Sequence, residues 1–169
     1  MTAPAGPAPE FPPDIAGLLD RADAICAGRG ARLTSLRRIV LGLILEGDAP
    51  TGAYDLLDRL KARRPGDAPP TVYRALDFLL AQGLIHRVER LSAFVGCVGH
   101  GDHDHSAQFL ICRGCGRVTE LEDAGVAQAL RAVAERTGFR IQGATVEAEG
   151  RCAGCEVGPA SPSSGAGDG

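Results

Sequence analysis

PPTVYRALDFLLAQGLIHRVERLSAFVGC, residues Pro69–Cys97, is the stretch on which the fold turns. Two prolines open it, and proline suits a first helical turn because its missing N–H would have no intrahelical partner there. Val72, Ala75, Leu76, Leu79 and Leu80 then recur at helical spacing. Arg74, Asp77 and Ala81 fall on the opposite side, with Thr71 and Tyr73 near the start, and Gly83 supplies the stop. LIHRVE and AFVGC follow as strands around a turn near Arg90-Leu91-Ser92. Upstream lie three more helical patterns: Ile15 to Ile25 ended by Gly28, Leu36 to Leu43 behind an N-cap at Thr34, and Ala53 to Leu60 behind an N-cap at Thr51. Helices followed by a hairpin, in that order, predict a winged helix-turn-helix.

Downstream the character changes. VGHGDHDHS, Val98 to Ser106, is polar, glycine-containing and rich in histidine. Beyond it come AQFLIC and RVTEL as strands, a helix over Gly125 to Arg136, and a strand around Phe139 to Glu147. The expected architecture is α+β: an N-terminal winged helix-turn-helix domain over residues 14–97, a hinge over 98–106, and a small C-terminal α/β domain over 107–158. Residues 1–13, rich in Pro and Ala, and 159–169, PASPSSGAGDG, read as disordered arms.

Composition narrows the function classes. Of 169 residues 44% are apolar, enough for a core, but there are only five Phe, two Tyr and no Trp, so that core rests on aliphatic side chains. The N-terminus lacks the basic and apolar regions of a signal peptide, and no run approaches the roughly 18 apolar residues of a membrane span. A soluble, cytoplasmic protein without a membrane partner is expected, and in a reducing compartment six Cys read as metal ligands or buried thiols. The net charge of −3 is uneven: residues 1–97 carry 12 basic against 11 acidic side chains, residues 98–169 carry 6 against 10. A local basic face in the first half is compatible with that balance.

Two pairs of equal spacing, Cys112-Arg113-Gly114-Cys115 and Cys152-Ala153-Gly154-Cys155, are the sharpest chemical signal. Four thiolates form a closed tetrahedral set, which is structural zinc chemistry. With 36 residues between the pairs, the ion would staple the first strand of the second domain to its end. Cys26 sits on a helix face beside Ile25 and reads as a small buried hydrophobe. A second constellation gathers all four His between His86 and His105, with Cys97 among them. It offers His86, Cys97, His100, His103, His105, Asp102, Asp104 and Glu120 as ligands to a second ion.

PPTVYRALDFLLAQGLIHRVE, the hairpin after it and FLICRGCGRVTEL together resemble the ferric uptake regulator family over about residues 14–157, and its zinc uptake regulators in particular. Ala31–Arg37, ARLTSLR, resembles the opening of the family's second helix, with Ser35 where proline is usual. The resemblance implies a regulatory site of His86, Cys97, His105 and Glu120, and thus two zinc ions per chain. It implies a repressor that, loaded with zinc, binds operator DNA and controls zinc uptake genes. A single winged helix reads only a few base pairs, so the DNA-binding domain over 14–97 is expected to act in a symmetric homodimer, joined through strands of the dimerisation domain over 107–158, on a near-palindromic operator. One thiolate, two imidazoles and a carboxylate suit zinc, whereas regulatory iron(II) generally takes more N and O ligands. Thr71, Tyr73 and Arg74 near the start of the fourth helix would contact DNA, with Arg37 and also Arg32 and Arg87 adding charge.

Other readings are weaker. A nucleoside deaminase would show His-x-Glu and Pro-Cys-x-x-Cys; no His-x-Glu occurs here and Ile111 precedes Cys112. A thioredoxin-like enzyme would carry one CxxC at a strand–helix junction. No enzyme activity and no small-molecule substrate are expected. An iron- or peroxide-sensing regulator of the same family is the near alternative, and a zinc-buffering protein without DNA binding the distant one.

Overall fold

The computed structural model describes residues 11–47, 49–65, 69–98, 107–141 and 144–156. Its first half holds α1 (Pro13–Gly28), α2 (Ser35–Leu45), β1 (Thr51–Gly52), α3 (Ala53–Arg63), α4 (Pro69–Ala81), β2 (Ile85–Val88), a 3-10 turn (Glu89–Leu91) and β3 (Ala93–Gly96). Its second half holds β4 (Ala107–Cys112), β5 (Val118–Leu121), α5 (Ala124–Thr137), β6 (Thr145–Gly150) and α6 (Ala153–Glu156). No described helix is long and apolar enough to cross a membrane.

The first half is a winged helix. One face of each helix closes on a single aliphatic core: Leu19, Ala22 and Cys26 of α1, Val40 and Leu43 of α2, Leu56 and Leu60 of α3, and Val72, Leu76 and Leu79 of α4. Burial of these side chains, at about 1.5–3 kcal/mol for a Leu or Val, is what outweighs the entropy of ordering four helices. Cys26 is fully buried, as its helical position implies. The wing is an antiparallel sheet in the order β1-β3-β2, and Leu84, Ile85 and Phe94 tie it to the same core. Ser92 takes the left-handed conformation, φ 49°, which lets the 3-10 turn reverse the chain into β3.

Thr51 does not cap α3. It is buried as a strand residue opposite Phe94 in β3, and Gly52 holds the N-cap position. The pull of the third wing strand outweighs the single capping hydrogen bond that the sequence suggested. The fold also takes in Phe11 and Pro12, ahead of the boundary expected at residue 14: the Phe11 ring packs over Gly42, where a Cβ would collide with it, and lies under the Arg63 guanidinium at 4.8 Å.

The second half is a three-stranded sheet in the order β5-β4-β6, with β4 antiparallel to β5 and parallel to β6. α5 is the crossover between β5 and β6, and Asp123 caps it by accepting from the Val126 N–H at 3.1 Å. The buried Gln108 side chain fixes that cap from β4, bonding both the Asp123 N–H and its carbonyl. The last strand begins later than expected. Gly138, at φ 67°, ends α5, Phe139 is 69% exposed, and pairing starts only at Thr145. The expected hinge, apart from Val98, and the expected tail lie outside the described residues.

Candidate metal centres and nucleic-acid interface

The parallel pairing of β4 with β6 brings the two CxxC segments to one end of the sheet, because Cys112 is in register with Gly150. Cys115 lies in the turn after β4, Cys152 just after β6 and Cys155 in α6. All four are free thiols, and their sulfurs lie within 4.8 Å of one another. The Cys115–Cys152 Sγ separation is 3.8 Å. A disulfide would need about 2.05 Å, whereas sulfurs each about 2.3 Å from one tetrahedral ion stand about 3.8 Å apart.

The glycines of the knuckles do different work. Gly114 provides room: a Cβ there would stand 2.9 Å from both Cβ and Sγ of Cys155. The left-handed turn belongs to Gly116, φ 73°, whose N–H bonds the Cys112 carbonyl. Backbone N–H groups of Cys152, Cys115 and Gly114 bring the Cys112 thiol down to about 5. The crowd of sulfurs, Cys152 foremost, pushes Cys155 up to about 12. One thiolate is stable there unaided; four require a cation of high charge, and this donor set fits zinc.

The second group is built by the wing and the C-terminal sheet together. In the wing ladder His86 pairs with Val95, and the Cys97 N–H bonds the Leu84 carbonyl, which puts His86 and Cys97 on one face as diagonal neighbours. Glu120 comes from β5. Its Oε1 lies 3.6 Å from His86 Nε2 and 3.8 Å from Cys97 Sγ, and the three donor atoms lie within 4.8 Å of one another. Ligands about 2.0–2.3 Å from a tetrahedral ion stand roughly 3.3–3.8 Å apart, so the three residues fit one. Cys97 is 3% exposed, and burial, then the Glu120 charge, pushes its thiol up to about 12. His86 also meets the edge of the Phe109 ring, centroids 5.9 Å apart. His105, expected as fourth ligand, lies outside the described residues, as do His100, His103, Asp102 and Asp104.

The helix that should face DNA presents Tyr73, 47% exposed, and an exposed Arg74, with Thr71 half-buried beside them. Arg37 is engaged inside the fold: its guanidinium stacks on Phe78 of α4 at 3.5 Å and donates to the Arg32 carbonyl at 2.8 Å. Arg87 pairs with Glu89 at 3.1 Å, while Arg32 is exposed. Phe109 and the β6 acids Glu147 and Glu149 stand in no metal-ligand motif of the sequence; for the first, the alternation of Phe109 and Ile111 on β4 is a signal of burial.

The chain matches the ferric uptake regulator family over residues 28–149. It is 44% identical to the zinc uptake regulation protein of Escherichia coli K12 over 138 residues, 82% of this chain and 81% of that one. With the zinc uptake regulation protein of Mycobacterium tuberculosis H37Rv it shares 31% over 129 residues, 75% of this chain and 95% of the other. Among solved structures, a zinc uptake regulator complexed with zinc and DNA superposes with a TM-score of 0.79 at 42% identity, covering 84% of this chain and 95% of that one. Holo XcZur does so at 0.76 and 45%, covering 84% and 99%. The fold, the paired cysteines and these likenesses agree: the chain belongs to the ferric uptake regulator family, on its zinc uptake regulator branch.

Proposed function

We propose that this chain is a zinc-responsive transcriptional repressor that binds near-palindromic operator DNA as a zinc-loaded homodimer and controls zinc uptake genes. The observation that carries the reading is the meeting of His86 and Cys97, from the wing, with Glu120, from the C-terminal sheet, at one point. The 44% identity to a zinc uptake regulation protein and the likeness to a regulator complexed with zinc and DNA support it.

In this reading Cys112, Cys115, Cys152 and Cys155 hold a structural zinc, and His86, Cys97, His105 and Glu120 hold a regulatory one. Zinc, when bound, supplies a positive centre that all four regulatory ligands can share. His86 and Cys97 fix the wing end of the joint, Glu120 fixes the sheet end, and Phe109 excludes water beneath the imidazole. Their convergence selects one angle between residues 14–97 and residues 107–158, joined by the hinge at 98–106. Thr71, Tyr73 and Arg74 then meet DNA from α4, Arg74 binding guanine or phosphate, with Arg37 adding positive charge behind them. A single winged helix reads few base pairs, so two copies are needed. The exposed apolar side chains of the second half, Leu110 on the sheet and Val126 and Val133 on α5, supply a surface for the partner copy. The protein acts in the cytoplasm, where its DNA is, and works by binding and not by catalysis.

Zinc analysis paired with operator binding tests this. Two zinc ions per chain are expected, with operator binding lost when one is removed by a chelator of moderate affinity. Cys97→Ser is expected to keep the fold, the dimer and one zinc, and to lose zinc-dependent DNA binding. Operator binding by Cys97→Ser as tight as the unaltered protein's, at zinc levels that discriminate for the latter, would refute the assignment.

A further inference from the structure

We propose that Glu147, Glu149 and Arg90 form a latch that holds the wing tip on the C-terminal sheet without metal, and that they thereby act as positioning residues for the regulatory zinc. The inference rests on the reading of His86, Cys97 and Glu120 as that zinc's ligands.

Strand register supplies the geometry. Phe109 of β4 is paired with Glu120 of β5 on one side and with Glu147 of β6 on the other. Paired residues project from the same face of a sheet, so Glu120, Phe109 and Glu147 form one row across it. The wing lies on that row. Val88 of β2 packs with Phe109 and Ile111 in an apolar cluster shared by the two halves of the chain. His86 stands two residues before Val88 and the Glu89–Leu91 turn just after it. The wing therefore touches the sheet at three consecutive places: ligands, apolar contact, turn.

The third contact is made of charged hydrogen bonds. The Glu147 carboxylate accepts the Glu89 N–H at 2.7 Å on one oxygen and the Arg90 N–H at 3.2 Å on the other. The Arg90 guanidinium donates to Glu149 at 2.6 Å. Glu149 shares the face of Glu147, two residues along β6, and Arg90 holds its carboxyl below the usual carboxylate range. None of the three is a candidate ligand, and the latch stands on the far side of Phe109 from Glu120. With the turn held, rotation about Val88 is restricted, and His86 stays opposite Glu120. Without it, the ligand halves must find each other against a wider range of wing orientations, and apparent zinc affinity falls with the fraction competent to bind.

The test uses the full chain carrying only its structural zinc. The Glu89 and Arg90 amides should exchange slowly by NMR, and Glu147→Ala should abolish that protection. Chelator competition should show regulatory zinc bound about tenfold more weakly in Glu147→Ala, with Glu147→Gln between the two because its amide keeps one acceptor. Arg90→Glu should weaken zinc about fivefold, and adding Glu149→Arg should restore it to within about twofold, a rescue that mere loss of stability would not give. Unchanged zinc affinity in Glu147→Ala and Arg90→Glu, alongside loss of the second zinc in Cys97→Ser, would overturn the positioning role alone. Retention of that zinc by Cys97→Ser would overturn the site assignment and the positioning role together.

Discussion

Phe109→Ala removes the side chain on which both halves of the molecule meet. Phe109 is 1% exposed, packs against Val88 across the joint, and meets the edge of His86. Truncating a buried Phe to Ala costs about 3–5 kcal/mol, the lost transfer energy plus the cavity left behind. Here the vacated space would merge with an existing cleft of about 240 Å³ that Phe109 lines with Leu45, Val95, Val118 and Glu120. Because the vacated space would join a cleft and not form a sealed cavity, the low end of that range applies, about 3 kcal/mol. For a chain of this length that lowers the melting temperature by about 6–12 °C. Calorimetry at fixed zinc, with the structural site filled and the regulatory site empty, reads the effect without contribution from ligand binding. The same variant should bind regulatory zinc at least about tenfold more weakly, the range for losing a group that orients a ligand. A melting temperature within about 3 °C of the original would refute Phe109 as the buried keystone of the joint. Normal zinc affinity despite the full thermal loss would refute its role in orienting His86.

Cys112→Ser should empty the structural site and unfold the second half, since a structural zinc contributes on the order of 10 kcal/mol, comparable with a domain's whole stability, and with Glu120 lost from its place the second zinc should go too; a folded dimer with full zinc by sedimentation and metal analysis would contradict the four-cysteine site. Arg74→Ala should keep both zincs and weaken operator binding by about 1–3 kcal/mol in a gel-shift or anisotropy titration, and an unchanged affinity would remove Arg74 from the interface. The pH dependence expected of the proposed regulatory site follows from Cys97, whose thiol, pushed up to about 12, is protonated in the metal-free protein at neutral pH. Zinc takes the thiolate, so binding releases that proton and affinity rises with pH, by about tenfold per unit from this group. Calorimetry in buffers of different ionisation enthalpy should count at least one proton released per regulatory zinc, and none would mean that Cys97 does not bind as thiolate.

Much of this architecture was legible because its signals are local. The α4 stripe from Val72 to Leu79 buries as its spacing requires, and the two CxxC pairs need only a parallel β4–β6 pairing to converge. What stayed hidden depends on contacts between distant segments. Thr51 looks like a cap until β3 is available to pair with it. Arg37 looks like a free cation until α2 lies across α4 and Phe78 comes under its guanidinium. Glu147 and Glu149 look like the solvated face of an edge strand, because nothing near them in sequence announces the turn at Glu89 and Arg90. His86, Cys97 and Glu120, the described members of the proposed regulatory set, stand out in the sequence as residue types, yet their meeting depends on how the wing lies on the sheet.

In the proposed function, that dependence is also what would let the site govern DNA binding. His86 and Cys97 lie on the wing, not on α4, so a constraint on them has to reach Arg74 through packing. The link is short. Gly83, at φ 62°, turns the chain from α4 into β2, and the Leu84 N–H bonds the Leu79 carbonyl at 2.9 Å. Leu84, Ile85 and Phe94 of the wing share one closed core with Val72, Leu76 and Leu79 of α4. Close-packed cores of this kind have no intermediate arrangement in which the wing turns and the helix stays behind. The winged helix therefore moves as one body, and fixing its wing at Glu120 fixes the direction in which Arg74 points. No chain of relayed side-chain changes is required; a rigid body held at one edge is sufficient. The latch at Glu147 adds a second point of attachment on the other side of Phe109. If it keeps the wing competent for about one tenth of the time where the free wing would manage about one hundredth, zinc binds about tenfold more tightly for the same ligands. The affinity of the switch is then set jointly by the ligands and by a contact they do not touch.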